Sequence, residues 1–312
     1  MTAPPSHGTT VTIGGLPIAI HTASAKLIRL IESRYAGFVD AGTGLQAESA
    51  TLQAPRFKDQ ASSPRAGTPT RSQALDAPDS QTPRVPVLRL DVDVVPVSRL
   101  RTARAADEDL TVTLTAGRWR LRRGDFSAEW HPATRRGRVR QAAYPYAIDS
   151  VMRVLHSLVL AETGGFLLHA ASAIRNGRAF LFSGVSEAGK TTISRLAPPD
   201  VTLLSDEISY VRPGADGYRA FGTPFAGELG VPGENIAAPI TALYFLAKGR
   251  EHRIRPLSTA TAAQRLLRNI LFFADDRALV ERLFQTACDF VARVHTCELA
   301  FRPEAEVWEL IR

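Results

Sequence analysis

The sequence predicts a mixed α/β protein in two parts. The first is a smaller α+β domain with an antiparallel sheet, and the second is an α/β domain. Three observations predict this. Short runs between Val87 and Ala142 alternate apolar and polar residues at the period of strands. Apolar residues recur at helical spacing from about Tyr146 to Glu162. From Arg178 to Leu196 an apolar strand, a glycine-rich loop and a helical pattern follow in direct succession. The chain's 312 residues exceed the roughly 100–200 of one compact domain. The boundary falls between 145 and 146, giving domains 1–145 and 146–312.

The first element is a hairpin over Val11 to His21, turning at Gly14-Gly15. Ser24 then caps a helix from Ala25 to about Phe38, with Leu27, Leu30, Ile31 and Tyr35 on one face. From Ala41 to Pro86 periodicity is lost. Pro, Ser, Thr, Gln and Ala dominate, so residues 46–85 read as a flexible insertion. Leu88, Leu90, Val92 and Val94 mark the next strand. A meander follows over Leu110–Ala116, Arg118–Arg122, Asp125–His131 and Arg138–Ala142, with turns at Gly117, Arg123-Gly124 and Arg136-Gly137.

In the second part, the helix from Tyr146 presents Ile148, Val151, Met152, Leu155, Leu158 and Val159 at helical spacing. Gly164-Gly165 stops it. Two apolar strands, Phe166–Ile174 and Arg178–Ser183, flank Asn176-Gly177. Both of those residues tolerate positive φ, so they form a hairpin turn. Further on come a strand at Ile240–Ala247, helices at about 259–273 and 275–293, and a closing short strand and short helix.

Composition excludes several classes. The chain is 45% hydrophobic and 22% charged, as globular proteins are, so it is neither disordered throughout nor collagen-like. No apolar run approaches the roughly 18–20 residues of a membrane span, and no secretory signal is visible at the N-terminus. Two cysteines, Cys288 and Cys297, cannot build a disulfide scaffold or a four-cysteine zinc site. The expected compartment is the cytoplasm. Of the 38 basic residues only Lys26, Lys58, Lys190 and Lys248 are lysines, so a lysine at a special position carries more information than an arginine.

The segment Gly184-Val-Ser-Glu-Ala-Gly189-Lys190-Thr191 fits G-x-x-x-x-G-K-[ST] between a strand and a helix. In such a loop backbone N–H groups ring phosphate oxygens, the lysine meets the β/γ-phosphates and the threonine hydroxyl meets Mg²⁺. Glu187 sets a negative charge in that loop. A second signal is Val201-Thr-Leu-Leu-Ser-Asp206-Glu207, an apolar strand ending in adjacent carboxylates. One can hold Mg²⁺ and the other can accept a proton. The short interval from Lys190 to Asp206 allows one brief helix, a turn at Pro198-Pro199-Asp200 and an immediate return strand.

These segments, with "LLHAASAI" around His169, the "RNG" hairpin and "GTPFAGELG" (Gly222 to Gly230), resemble the HPr kinase/phosphorylase and phosphoenolpyruvate-carboxykinase type of P-loop protein. More narrowly, they resemble HPr-kinase-related bacterial proteins of largely unassigned substrate. The resemblance covers about residues 145–235, extends to a "RNILFF" helix over Arg268 to Phe273, and is loose over the first 145. It implies a nucleotide cradle of Gly184, Ser186, Ala188, Gly189, Lys190, Thr191 and Thr192. It implies Asp206 as general base, His169 near it, and Arg268 neutralising charge on the transferring phosphoryl group. Thr191, Glu207 and Glu228 would bind Mg²⁺. A core histidine and a surface carboxylate account equally for His169 and Glu228, and a helix-surface arginine accounts for Arg268 better than a catalytic role does. The chain departs from the family in Glu187, where the family has Gly, and in Glu207, where it has Asp. It carries no clear HPr-docking signature.

The implied function is an ATP- and Mg²⁺-dependent kinase acting on a hydroxyl of a peptide, protein or small molecule. The alternative is a nucleotide-binding regulator or scaffold without turnover. The resemblance allows a homo-oligomer. Arg118, Arg120, Arg122, Arg123, Arg135, Arg136, Arg138 and Arg140, interleaved with Trp119 and Trp130, raise nucleic-acid binding as a third reading. A solvated face in an arginine-biased chain explains them more simply, so nucleic acid is not the expected partner.

Overall fold

A computed structural model describes residues 6–40, 87–96, 110–143 and 145–312. The chain is mixed α/β and mostly strand, built on two multistranded sheets. The insertion expected at 46–85 lies outside the described residues. Among the described residues no helix is long and apolar enough to cross a membrane.

The first sheet has seven strands: β1 (His7–Ile13), β2 (Leu16–Thr22), β3 (Leu88–Val94), β4 (Thr111–Thr115), β5 (Arg118–Arg123), β6 (Phe126–His131) and β7 (Arg136–Gln141). Their order is β1-β2-β3-β7-β6-β5-β4. The sheet is mixed rather than antiparallel, because β3 pairs in parallel with both β2 and β7. Helix α1 (Ala25–Arg34) follows β2, so the chain crosses over before β3 enters alongside it. Helix α1 ends earlier than its apolar spacing predicts. The Tyr35 N–H caps it on the Ile31 carbonyl, and Gly37 turns the chain at φ 83°.

Two features of the meander differ from expectation. The turn between β6 and β7 is a short 3₁₀ helix, Pro132–Thr134, closed by Arg135 in the left-handed region. Gly137 lies inside β7, where a Cβ would stand 2.8 Å from Leu90 Cδ2 and 2.9 Å from the Glu129 carbonyl oxygen. Close packing, not turning, explains that glycine. Trp119 and Trp130 face each other across β5 and β6 and are both buried. Arg118, Arg120 and Arg122 point to the solvent face. Those three arginines therefore lie on the face opposite the two tryptophans, whereas Arg123 turns to the buried side, over the Phe126 ring at 5.1 Å.

The second sheet has nine strands. Its first strands are β8 (Phe166–Arg175), β9 (Arg178–Ser183), β10 (Val201–Ser205), β11 (Ile208–Gly214) and β12 (Gly217–Phe221). They are followed by β13 (Ala237–Lys248), β14 (Arg253–Pro256), β15 (Ile270–Leu271) and β16 (His295–Phe301). Strand β8 changes partners along its length. Phe166–His169 pairs with β11, and Ala170–Arg175 pairs with β9. The hairpin turns at Asn176 (φ 53°) and Gly177 (φ 73°), as the dipeptide predicts. β13 runs parallel to both β9 and β16. The C-terminal ends of these three strands therefore meet at one edge.

The helices of this part are α2 (Pro145–Thr163), α3 (Lys190–Arg195), α4 (Thr259–Leu267) and α5 (Arg277–Arg293). The "RNILFF" segment is not helical. Ile270 and Leu271 pair with Leu168 and Leu167 of β8. The Asn269 carbonyl accepts the His169 N–H at 2.8 Å. The open backbone groups of β8 are satisfied this way, which a continued helix could not do.

Alternation in β9 feeds two cores. Ala179 and Leu181 join α2, α4 and α5 on one side, while Phe180 and Phe182 join Ile193 and Trp308 on the other. The first core runs without a break from Val11 to Val294 and spans position 145. Across that position, Asp149 accepts a 2.6 Å hydrogen bond from the Tyr35 hydroxyl and pairs with Arg34 at 2.8 Å.

Candidate functional site

A cleft of about 1050 Å³ opens where β9, β13 and β16 end. Crevices beyond the carboxyl ends of parallel strands are where α/β sheets bind ligands. Its floor is the glycine-rich loop between β9 and α3. Residues Ser186 through Thr192 line it, with Asp206, Glu207, Glu228 and His169 opposite them in sequence but adjacent in space.

Lys190 begins α3 and is buried, and its Nζ donates to the carbonyls of Gly184 at 3.1 Å and Val185 at 3.3 Å. Burial lowers its pKa from the usual value, while Glu207 and Glu228 act in the opposite direction. Gly184 is not among the lining residues; it shapes the loop and holds Lys190 through its carbonyl. Glu187 is exposed and sits at φ 62°, a left-handed conformation that favours glycine.

The acidic pair follows β10. Ser205 Oγ accepts the N–H groups of Glu207 at 3.2 Å and Ile208 at 2.9 Å, which turns the chain sharply into β11. Asp206 is buried, and its two oxygens accept the N–H groups of Gly227 at 2.8 Å and Leu229 at 2.9 Å. A Cβ on Gly227 would stand 2.8 Å from Glu207 Cβ, so only glycine lets that loop approach. Glu207 is half-buried. Burial raises its pKa first; Arg153 and Lys190 lower it, while Asp206 and Glu228 raise it. His169 also lines the cleft, and burial with the Lys190 charge lowers its pKa. A hydrogen bond to the Glu207 backbone opposes that shift. The imidazole is therefore neutral at pH 7.

The cleft thus brings together Ser186, Ala188, Gly189, Lys190, Thr191, Thr192, Asp206, Glu207, Glu228 and His169. It does not include Arg268, an exposed residue at the C-terminal cap of α4. Lys248, Arg195 and Arg302 line the cleft without having been singled out as site residues. For Lys248 a signal existed: it is one of only four lysines and ends an apolar strand. Arg153 is equally hidden in the sequence. It acts on Glu207 electrostatically, and its guanidinium lies 5.2 Å from the Phe225 ring centroid.

Cations and carboxylates share one cleft, an arrangement that can hold an anion together with a metal cation. Among comparisons with known proteins, no curated protein matches the chain. Residues 146–312 match the family described as SynChlorMet cassette protein ScmC. That match covers the entire cleft and more than half of the chain, and the chain belongs to the ScmC family.

Proposed function

We propose that the chain is an ATP-dependent kinase with a P-loop fold of the HPr kinase type, transferring a phosphoryl group to a hydroxyl. The acceptor is a peptide or protein Ser/Thr or a small molecule. The observation that carries this reading is the convergence of Lys190, Thr191 and the Asp206–Glu207 pair in one cleft. The carboxylates also fit Mg²⁺: burial is the main cause that raises Glu207, Asp206 and Glu228 add to it against Arg153 and Lys190, and a divalent cation would stabilise the charged form of all three carboxylates. Thr191, Glu207 and Glu228 would hold it. Bound Mg-ATP supplies the transferable γ-phosphoryl group and neutralises its charge.

The chain's residues do the rest. Lys190 and the loop amides hold the phosphate oxygens. Lys248 and Arg302 take the charge-neutralising role that the resemblance gave to Arg268. Asp206 accepts the proton of the acceptor hydroxyl as its oxygen bonds to phosphorus and the bond to ADP breaks. Neutral His169 orients the turn that carries Glu207.

Calorimetric titration of Mg-ATP into the wild type and Lys190→Ala tests the reading. Micromolar binding that Lys190→Ala loses supports it; a folded wild type that binds no nucleotide overturns it. The second reading, a nucleotide-binding regulator without turnover, is favoured by the two departures from the related family that meet at the cleft, Glu187 for Gly and above all Glu207 for Asp beside the proton acceptor. It predicts tight binding with neither transfer nor hydrolysis.

A further inference from the structure

We propose that His252, Glu304 and Glu306 form a binding site for one zinc-class divalent cation, separate from the carboxylates of the cleft. Strand β14 pairs antiparallel with β16, so the turn after β13 folds back beside the segment that follows β16. The Gly249 N–H closes this contact on the Phe301 carbonyl at 3.0 Å. One ligand atom from each of the three side chains then lies within 4.8 Å of the others.

A second observation points to a ligand. Both ring nitrogens of His252 are shut off from solvent and have no hydrogen-bond partner. Leaving such nitrogens unpaired costs free energy, and a coordinated cation would satisfy one of the two. Glu304 is already oriented, because Arg302 Nε holds its Oε2 at 2.5 Å.

The donor set selects the metal. One imidazole nitrogen with two carboxylates suits zinc or cobalt, whereas magnesium and calcium take oxygen donors. Zinc bonds of roughly 2.0–2.2 Å put tetrahedral ligands about 3.4 Å apart, so the three side chains need only a small closure. Three protein donors leave a fourth position for water or an incoming ligand. Arg302 and Pro303 line the cleft, so an ion here would pin the cleft's rim.

The test is a Co²⁺ titration of the full chain in excess Mg²⁺, read by visible absorption and by displacement with Zn²⁺. A saturable band is expected, weakened about tenfold or more in His252→Gln and in Glu306→Gln and retained in Glu207→Gln. Glu306 is exposed, so its variant tests the site without disturbing the core; circular dichroism checks folding of all variants. No band in the folded wild type, or a band unchanged in both His252→Gln and Glu306→Gln, overturns the site. A band lost only in Glu207→Gln would overturn it too, by placing the cation in the cleft.

Discussion

Asp206 accepts the backbone N–H of Gly227 at 2.8 Å, so the cleft's buried carboxylate also fastens the loop that carries Glu228. Its other oxygen does the same for Leu229 at 2.9 Å. In Asp206→Asn the side-chain NH₂ must face one of those N–H donors. The variant is expected to lose about 1–3 kcal/mol of stability as well as phosphoryl transfer. Urea denaturation beside a turnover assay separates the two effects. An unchanged midpoint would deny the fastening role, and retained turnover would remove Asp206 as proton acceptor.

Glu187 holds a left-handed backbone at φ 62° and adds a carboxylate to the cleft. Glycine relieves the backbone strain, a gain of about 1 kcal/mol, and removes the like charge facing a phosphate. Glu187→Gly is therefore expected to melt higher and to bind Mg-ATP more tightly. Differential scanning calorimetry and titration calorimetry read the two effects. A weaker nucleotide affinity in the variant would mean that Glu187 assists binding instead of opposing it.

Local signals were the legible ones. The helical spacing of α2, the Asn176-Gly177 hairpin and the strand–loop–helix at Lys190 all depend on residues close in sequence, and the structure shows each where the sequence puts it. Non-local pairing was not legible. Nothing in Leu88–Val94 says that it pairs in parallel with β2 and β7. Gly137 reads as a turn only because its close neighbours Leu90 and Glu129 are far away in sequence. Ile270 and Leu271 read as helix because the edge of β8 that captures them lies about a hundred residues earlier. Lys248 and Arg302 reach the cleft because β9, β13 and β16 are parallel, a fact of sheet order that no motif spacing contains.

Glu207 makes the cleft sensitive to pH and to divalent cations. Burial and the neighbouring carboxylates raise its pKa in the folded chain. Between the ordinary glutamate range of about 4.3 and that raised value, the folded chain holds a proton that the unfolded chain has released. Stability therefore falls as pH rises through this window. Glu207→Gln is expected to be more stable than wild type above it, with the difference fading near about pH 4. Mg²⁺ should stabilise the wild type more than the variant at neutral pH. Superimposable stability profiles, with and without Mg²⁺, would show that Glu207 carries no such penalty.

His156 makes the opposite prediction, because a base is buried rather than an acid. It lies on α2 with no exposed surface, its Nδ1 is 3.2 Å from the Tyr210 hydroxyl, and its Nε2 has no partner. Burial, helped by the Arg212 charge, lowers its pKa from 6.5 to about 3. Below pH 6.5 the unfolded chain takes a proton that the folded chain refuses. Stability is whole above that value and is lost as pH falls toward about 3, by up to about 1.4 kcal/mol per pH unit for this one group. His156→Leu would start lower at neutral pH, since Tyr210 loses its partner at a cost of about 1–3 kcal/mol. Its stability should then decline less steeply with acid, so the two curves converge as pH drops from about 6 to about 4. Urea midpoints measured across that range decide the matter: parallel curves would assign the acid sensitivity to other groups.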